Sequence, residues 1–282
     1  MNTAMPRVTG SVRAEFSASG GATRLERSVH SYPLKIAKTF SFPNRQLGVY
    51  VMDASPGMMA GDRYELSWHF GEAANVFVTN QSYTKVHPSV PGAGGASEQR
   101  QKLVLEQGAY VEYMPEPVTL YKDARFRSAT DVVLAPGAAL VMSDIVCPGR
   151  LHRGELFQYE QYRSRLTVWL EEEPIYQSRQ RLEPAASEVE AAGRFEDYTH
   201  LASFYVFSDR IGPDTTGMLR GALELFMEAG APVYCGVSSA VKHGVIVSAL
   251  GRRVIDLERV VETAWAAVRR ELFGQPPLKV PK

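Results

Sequence analysis

Apolar residues fall at every second position through several short stretches of the chain, the pattern of strands with one buried face. The clearest is 63–70, Arg-Tyr-Glu-Leu-Ser-Trp-His-Phe, where Tyr64, Leu66, Trp68 and Phe70 share one side. Similar alternation, or short apolar runs bounded by turn residues, predicts strands at 12–16, 34–40, 47–51, 75–79, 157–170, 233–237 and 244–250. Two stretches change period. In 216–228, Leu219, Ala222, Leu223 and Phe226 form a helical stripe that Gly230 ends. In 256–272, Asp256 is placed to cap a helix whose broad apolar face includes Leu257, Val260, Val261, Ala264, Trp265 and Val268. Arg269 and Arg270 fall in its last turn, favourable to the helix dipole, before Gly274 and Pro276-Pro277.

A loose repeat runs through the first half. Stretches 68–78, 103–113 and 132–142 each read as an apolar strand, a short turn and a second apolar strand, with glycines at Gly71, Gly108 and Gly137. Such units point to stacked β layers or solenoid-like rungs; ordinary hairpins of a large sandwich are the alternative. The expected fold is therefore mainly β, a stacked or β-helical scaffold with two α-helices toward the C-terminus. One domain, 1–282, is expected, with 1–20 frayed and the Pro/Gly/Ser/Ala-rich stretch 88–97 a flexible loop.

Charge narrows the functional classes. Lys+Arg and Asp+Glu both number 31, which argues against a nucleic-acid or membrane-surface binder acting through a bulk positive field. The two cysteines, Cys147 and Cys235, form no CxxC pair, and no apolar run has signal-peptide or membrane-spanning length. A cytoplasmic protein is expected.

Chemistry concentrates at turns. Residues 54–63, Ala-Ser-Pro-Gly-Met-Met-Ala-Gly-Asp-Arg, bracket a tight turn between Gly57 and Gly61. Asp62 stands where a phosphate loop requires Lys, so a phosphate loop is rejected. A polar cluster follows at Gln81, Ser82 and Thr84, closed by Lys85, and a second polar turn is read at 144–155. No catalytic constellation is present, and the six histidines are scattered. A transient site for a borderline cation such as Ni²⁺ would use Asp62, Asp144 and Glu155 with water. The alternative is that these acids bond turn N–H groups or the nearby Arg63 and Arg150.

An ordered set of motifs now adds a family. Gly57-Met-Met-Ala-Gly-Asp-Arg, Asn80-Gln-Ser-Tyr-Thr-Lys-Val-His, Tyr113-Met-Pro-Glu-Pro, Ala124-Arg-Phe, Leu134-Ala-Pro-Gly-Ala, Gly149-Arg-Leu-His-Arg-Gly-Glu, Gly236-Val-Ser-Ser and Trp265 through Arg270 to Gly274 resemble the urease accessory protein UreD, also called UreH. They occur in family order from about residue 20 to 280. The resemblance implies a non-catalytic maturation chaperone with a β-rich fold and two helices, binding UreF, the GTPase UreG and the urease apoprotein. It implies no stably bound cofactor, with Ni²⁺ passing transiently through a water-filled tunnel. Carried onto this chain, it gives binding roles to Asp62, Gln81, Ser82, Thr84, Lys85, Arg150 and Glu155, and transient metal roles to Asp62, Asp144 and Glu155. The chain departs from the family at Pro56-Gly57 and Ala60-Gly61, at Asn80, and at Ser178, where the family commonly has an acid.

Overall fold

The computed structural model describes residues 9–89, 95–189 and 191–280. In chain order the strands are Gly10–Ser19 (β1), Ala22–Ser31 (β2), Leu34–Ser41 (β3), Leu47–Asp53 (β4), Arg63–Phe70 (β5), Asn75–Asn80 (β6), Thr84–Val86 (β7), Ser97–Leu105 (β8), Tyr110–Tyr113 (β9) and Val118–Leu120 (β10). Then come Arg125–Leu134 (β11), Ala139–Cys147 (β12), Gln161–Leu170 (β13), Glu173–Leu182 (β14) and His200–Phe207 (β15). Helix Pro213–Glu228 (α1), Val233–Ser239 (β16), Gly244–Gly251 (β17) and helix Val254–Ala267 (α2) complete the order, with one π-type turn, Val268–Leu272, after α2.

From β4 to β13 the chain crosses repeatedly between two sheets, and like strands stack in parallel. One sheet has the order β14-β13-β11-β8-β5-β1-β2; the other runs β16-β17-β15-β12-β9-β6-β4-β3, with β7 and β10 attached beside β12. Strands on either side of a repeat turn do not pair with each other. Instead β5 pairs with β1 and β8, and β6 pairs with β4 and β9, all in parallel. The repeat turns themselves stack: Ala73 N–H donates to Gln107 O, and Ala139 N–H donates to Ala109 O. This is the connectivity that stacked rungs require and hairpins do not give. The ends are closed by antiparallel pairs, β1–β2, β3–β4, β13–β14 and β15–β17–β16.

Burial divides the molecule into three layers. Alternate residues of both sheets, among them Phe16, Trp68, Phe70, Phe126, Val78 and Leu140, fill the space between the sheets. The opposite face of the larger sheet, through Phe77, Val141, Phe204 and Val247, packs against Leu219, Leu223, Val260 and Trp265 of the helices. Fully burying such side chains stabilises by roughly 1.5–3 kcal/mol each, before conformational entropy is subtracted.

Several expectations are corrected. Gly10–Ser19 is not frayed, because β1 is paired on both edges; residues 1–8 lie outside the described residues. Of the loop expected at 88–97, Ser89 is buried with its N–H donating to Asp123 O, and Ser97 opens β8; 90–94 lie outside the described residues. The strand expected from Phe157 begins at Gln161, since Phe157 has a positive φ of 53° that turns the chain. Helix α1 starts at Pro213, whose missing N–H costs nothing in a first turn. Helix α2 starts at Val254, so Asp256 lies within the first turn and its carboxylate binds the Arg253 guanidinium at 2.7 and 2.8 Å.

Candidate functional site

The Pro-Gly turn and the polar segment after β6 are neighbours. Met58 N–H donates to Lys85 O at 2.8 Å, His87 N–H donates to Met58 O, and Met58 and Val86 form a β-bridge. Gly57 makes this approach possible: its φ is +133°, and a Cβ there would lie 2.5 Å from Lys85 O. The turn is tied further by Asp53, whose carboxylate accepts from Ser55 N–H, Ser55 Oγ–H and Tyr64 O–H. Asp62 also serves its own turn. Its Oδ2 accepts from Met59 N–H at 2.7 Å, while its carbonyl accepts from Glu98 N–H.

Of the polar cluster, Gln81, Ser82 and Lys85 are exposed and Thr84 is half-buried. They do not form a buried network. The backbone carries the order here: Gln81 N–H donates to Val51 O and Thr84 N–H to Pro117 O.

Around the same end of the stack lies the pair Arg150–Glu155. The guanidinium donates to both carboxylate oxygens, through Nε at 2.7 Å and through Nη2, and it lies 4.1 Å from the centroid of the Tyr121 ring. His87 meets the same ring edge-on at 5.0 Å, so Tyr121 joins the two polar turns. Arg150 holds the Glu155 carboxyl below the usual carboxylate range, aided by the Lys122 N–H, against a smaller opposing effect of burial. A carboxylate matched by a fork of N–H donors is well satisfied.

Asp144 differs from both. It is not in a turn, as expected, but inside β12, because Ile145, Val146 and Cys147 continue the strand and the turn begins only at Pro148. It faces a cavity of about 70 Å³ between the sheets, where Gln101, Tyr113, Thr130, Tyr162, Ser164 and Arg165 line the wall beside apolar residues such as Leu66, Phe126 and Met142. Its one hydrogen bond is long, from Tyr162 O–H to Oδ2 at 3.4 Å, and no ion pair reaches it among the described residues. Burial pushes its carboxyl up to about 6, with the Tyr162 hydroxyl opposing. Above that pH Asp144 is charged with no ion pair of its own among the described residues, although Arg165 also lines the cavity. The space is large enough for about two waters. Nearby, Tyr113 O–H donates to Gln101 Oε1, and Gln101 Nε2 donates to Thr130 Oγ1. Ser178 lies across β14 from Leu166 of β13.

Asp62, Asp144 and Glu155 thus occupy three different settings. Among the described residues no group of three or more His, Cys, Asp or Glu side chains comes together to hold a metal ion.

The sequence singled out Arg269 only as a helix-end charge and did not single out Glu112. Glu112 and Arg269 are both sealed from solvent, with Arg269 Nη1 donating to Glu112 Oε2. Gln46 Nε2 donates to the same oxygen at 2.8 Å; Trp265 Nε1 and Tyr110 O–H donate to Oε1 at 2.7 and 2.6 Å. Arg269 Nε reaches Pro276 O, anchoring the C-terminal segment. The one sequence signal was Glu112 itself, a charge on the side of β9 opposite the inter-sheet positions Val111 and Tyr113.

The fold is a stacked β scaffold with a helical layer, polar turns at one end and, between the sheets, an Asp144 carboxylate without an ion pair among the described residues. The family model described as UreD urease accessory protein matches residues 8–281. The chain is 32% identical over 252 residues to the urease accessory protein UreD of Acetivibrio thermocellus, covering 89% of this chain and 93% of that one. It is 29% identical to UreD of Haloarcula marismortui, over 96% of this chain and 89% of the other. It is 28% identical to the urease accessory protein UreH of Helicobacter hepaticus, over 68% and 74%. The chain belongs to the UreD family of urease accessory proteins. Its members are accessory to urease maturation and are not the enzyme. No described helix is long and apolar enough to cross a membrane.

Proposed function

We propose that this chain bridges the UreF–UreG pair and the urease apoprotein in the cytoplasm, and that Ni²⁺ crosses its polar interior past Asp144. The observation that carries the reading is the Asp144 carboxylate, without an ion pair among the described residues, facing the inter-sheet cavity. A cation entering that cavity relieves the buried negative charge, and a lone oxygen ligand with water holds Ni²⁺ weakly enough to release it. The hydroxyls and amides of Tyr162, Tyr113 and Gln101 supply further oxygen atoms for a hydrated ion. Nickel is cargo on this reading, and no cofactor stays behind. Asp62 and Glu155 hold the surrounding turns, so their metal role is secondary to Asp144.

The test is Asp144→Ala, expressed with UreF, UreG and urease subunits. Co-purification with the partners is expected to persist while nickel per urease active site falls. Full nickel loading of urease by that variant overturns the route.

A second reading has its own support. The turn-holding hydrogen bond of Asp62 with Met59 N–H and the fork of Arg150 on Glu155 favour a structural scaffold that holds apo-urease open while nickel arrives elsewhere. Under it, Asp144→Ala loads nickel normally, and only surface substitutions that disrupt partner binding lower activation.

A further inference from the structure

We propose that the outward face of the seven-stranded sheet is a docking surface for an acidic protein segment, held by an arginine array on β8, β11, β13 and β14. The face borders the Gly57–Asp62 turn through Glu98 and Arg127, and Arg165 also lines the cavity, but the array as a whole is no part of the site described above.

Strand register builds the array. Arg127, Arg163 and Arg181 are direct cross-strand neighbours in one row. In the next row Arg165 stands opposite Arg179, with Arg100 two strands away across Ala129. Neighbouring strands lie about 4.8 Å apart, and like charges placed directly opposite one another destabilise a sheet. These side chains are turned to solvent, Arg181 being 67% and Arg127 52% exposed. The inter-sheet core is built by the alternate residues Phe126, Tyr162 and Leu166 and does not call for them.

Local carboxylates are too few. Glu98 is shared by Arg100 and Arg127, at 3.3 and 3.6 Å, and Glu183 by Arg163 and Arg181, at 3.1 and 2.6 Å. Asp131 takes both forks of Arg165, and Arg179 has no ion-pair partner among the described residues. A chain with equal numbers of acids and bases therefore gathers a local positive excess on one face.

Guanidinium forks match carboxylates in pairs, and those already shared can take a second acceptor without leaving the first. Rows repeat along each strand every two residues, roughly 6.6 Å, which is the spacing of alternate side chains on an extended segment. The interleaved Glu98, Asp131 and Glu183 favour a protein over a nucleic acid. A continuous phosphate chain meets those carboxylates with repulsion, whereas a peptide can place its acids selectively.

The probe is a labelled peptide of alternating Glu and Ser, titrated by fluorescence anisotropy against the full chain at several NaCl concentrations. Oligo-deoxythymidine of equal length is the comparison. Saturable peptide binding is expected, weakening with salt, and the double variant Arg179→Gln/Arg181→Gln is expected to lose about tenfold in affinity. Substitution of Arg24 and Arg27 by Gln on the edge strand β2 is expected to leave binding unchanged. Arg179→Glu sets an acid opposite Arg165 and is expected to weaken peptide binding while keeping or raising the thermal midpoint. Should the double variant fold poorly by circular dichroism, Arg100→Gln with Arg179→Gln serves in its place. Absence of saturable peptide binding, affinity unchanged in the folded variants of Arg100, Arg179 or Arg181, or tighter binding of the oligonucleotide overturns the proposal.

Discussion

Arg269 and Glu112 form an ion pair with 1% and 0% of their side chains exposed, joining the turn after α2 to β9 in the middle of the larger sheet. Four donors converge on the one carboxylate, which satisfies it and fixes how α2 and the segment through Pro276 sit on the sheet.

Breaking that pair from one side is expected to be severe. Glu112→Ala leaves Arg269 charged and buried, a loss of about 3–5 kcal/mol. The joint replacement Glu112→Leu with Arg269→Met is expected to cost clearly less than Glu112→Ala, because both charges leave together. Urea unfolding followed by circular dichroism measures both.

Gly149 controls the Arg150–Glu155 clamp. Its φ is +139°, and a Cβ at this position would lie 2.0 Å from Glu155 O. Gly149→Ala is expected to destabilise by about 1–3 kcal/mol or more and to loosen the stacking of Arg150 on Tyr121. A lowered thermal midpoint, together with faster amide exchange at 150–155, checks it.

Asp144 sets one pH dependence. Its carboxyl rises from the usual 3.8 to about 6 on burial, so between those values the folded chain holds a proton that the unfolded chain has released. Its contribution is intact below the unfolded value and is lost as pH rises through about 6, an effect of up to about 3 kcal/mol. Asp144→Asn is therefore expected to gain stability over the parent at pH 7.5 and to show little of that gain at pH 4. On the nickel-route reading, transfer by the parent falls as pH drops through about 6.

His200 works in the opposite direction. Burial lowers it to about 4 from 6.5, with the Asp256 charge opposing. The neutral ring is retained in the folded chain while the unfolded chain takes up protons, so stability falls as pH drops from about 6.5 to 4, by roughly 3 kcal/mol. In the parent this partly offsets the Asp144 effect over the shared range. Chemical denaturation of His200→Gln at pH 7.5 and pH 4.5 is expected to show a smaller acid loss than the parent.

Much of the architecture was legible. Strand β5 was read with its observed ends because alternation is a local property of Tyr64, Leu66, Trp68 and Phe70. The repeat at Gly71, Gly108 and Gly137 marked three turns that do stack, since each unit has an apolar face only its neighbour covers. Strands β2, β7, β10, β14 and β15 were left unread, β7 and β10 being too short to show a pattern. β2 and β14 are edge strands with largely exposed side chains, so their pattern is polar; β15 is buried on both faces and shows no alternation.

The site was legible only in part. The ordered motifs carried the family resemblance, and the turn at Gly57 and the polar cluster closed by Lys85 were each singled out from the chain alone. Which acid stands without a partner was not. Asp62, Asp144 and Glu155 are the same kind of residue in sequence, yet Met59 N–H holds the first, Arg150 holds the last, and Asp144 faces a cavity.

The sequence by itself determined the elements, the repeating turns and the family, because alternation, helical period and glycine turns act over a few neighbouring residues. Only the tertiary structure decided the electrostatics. It turned Arg269 from a helix-end charge into the partner of a residue 157 positions away, aligned Arg165 with Arg179, and left Asp144 alone between the sheets. Those outcomes depend on register and burial, which are set by contacts between distant strands and are written in no single stretch of chain.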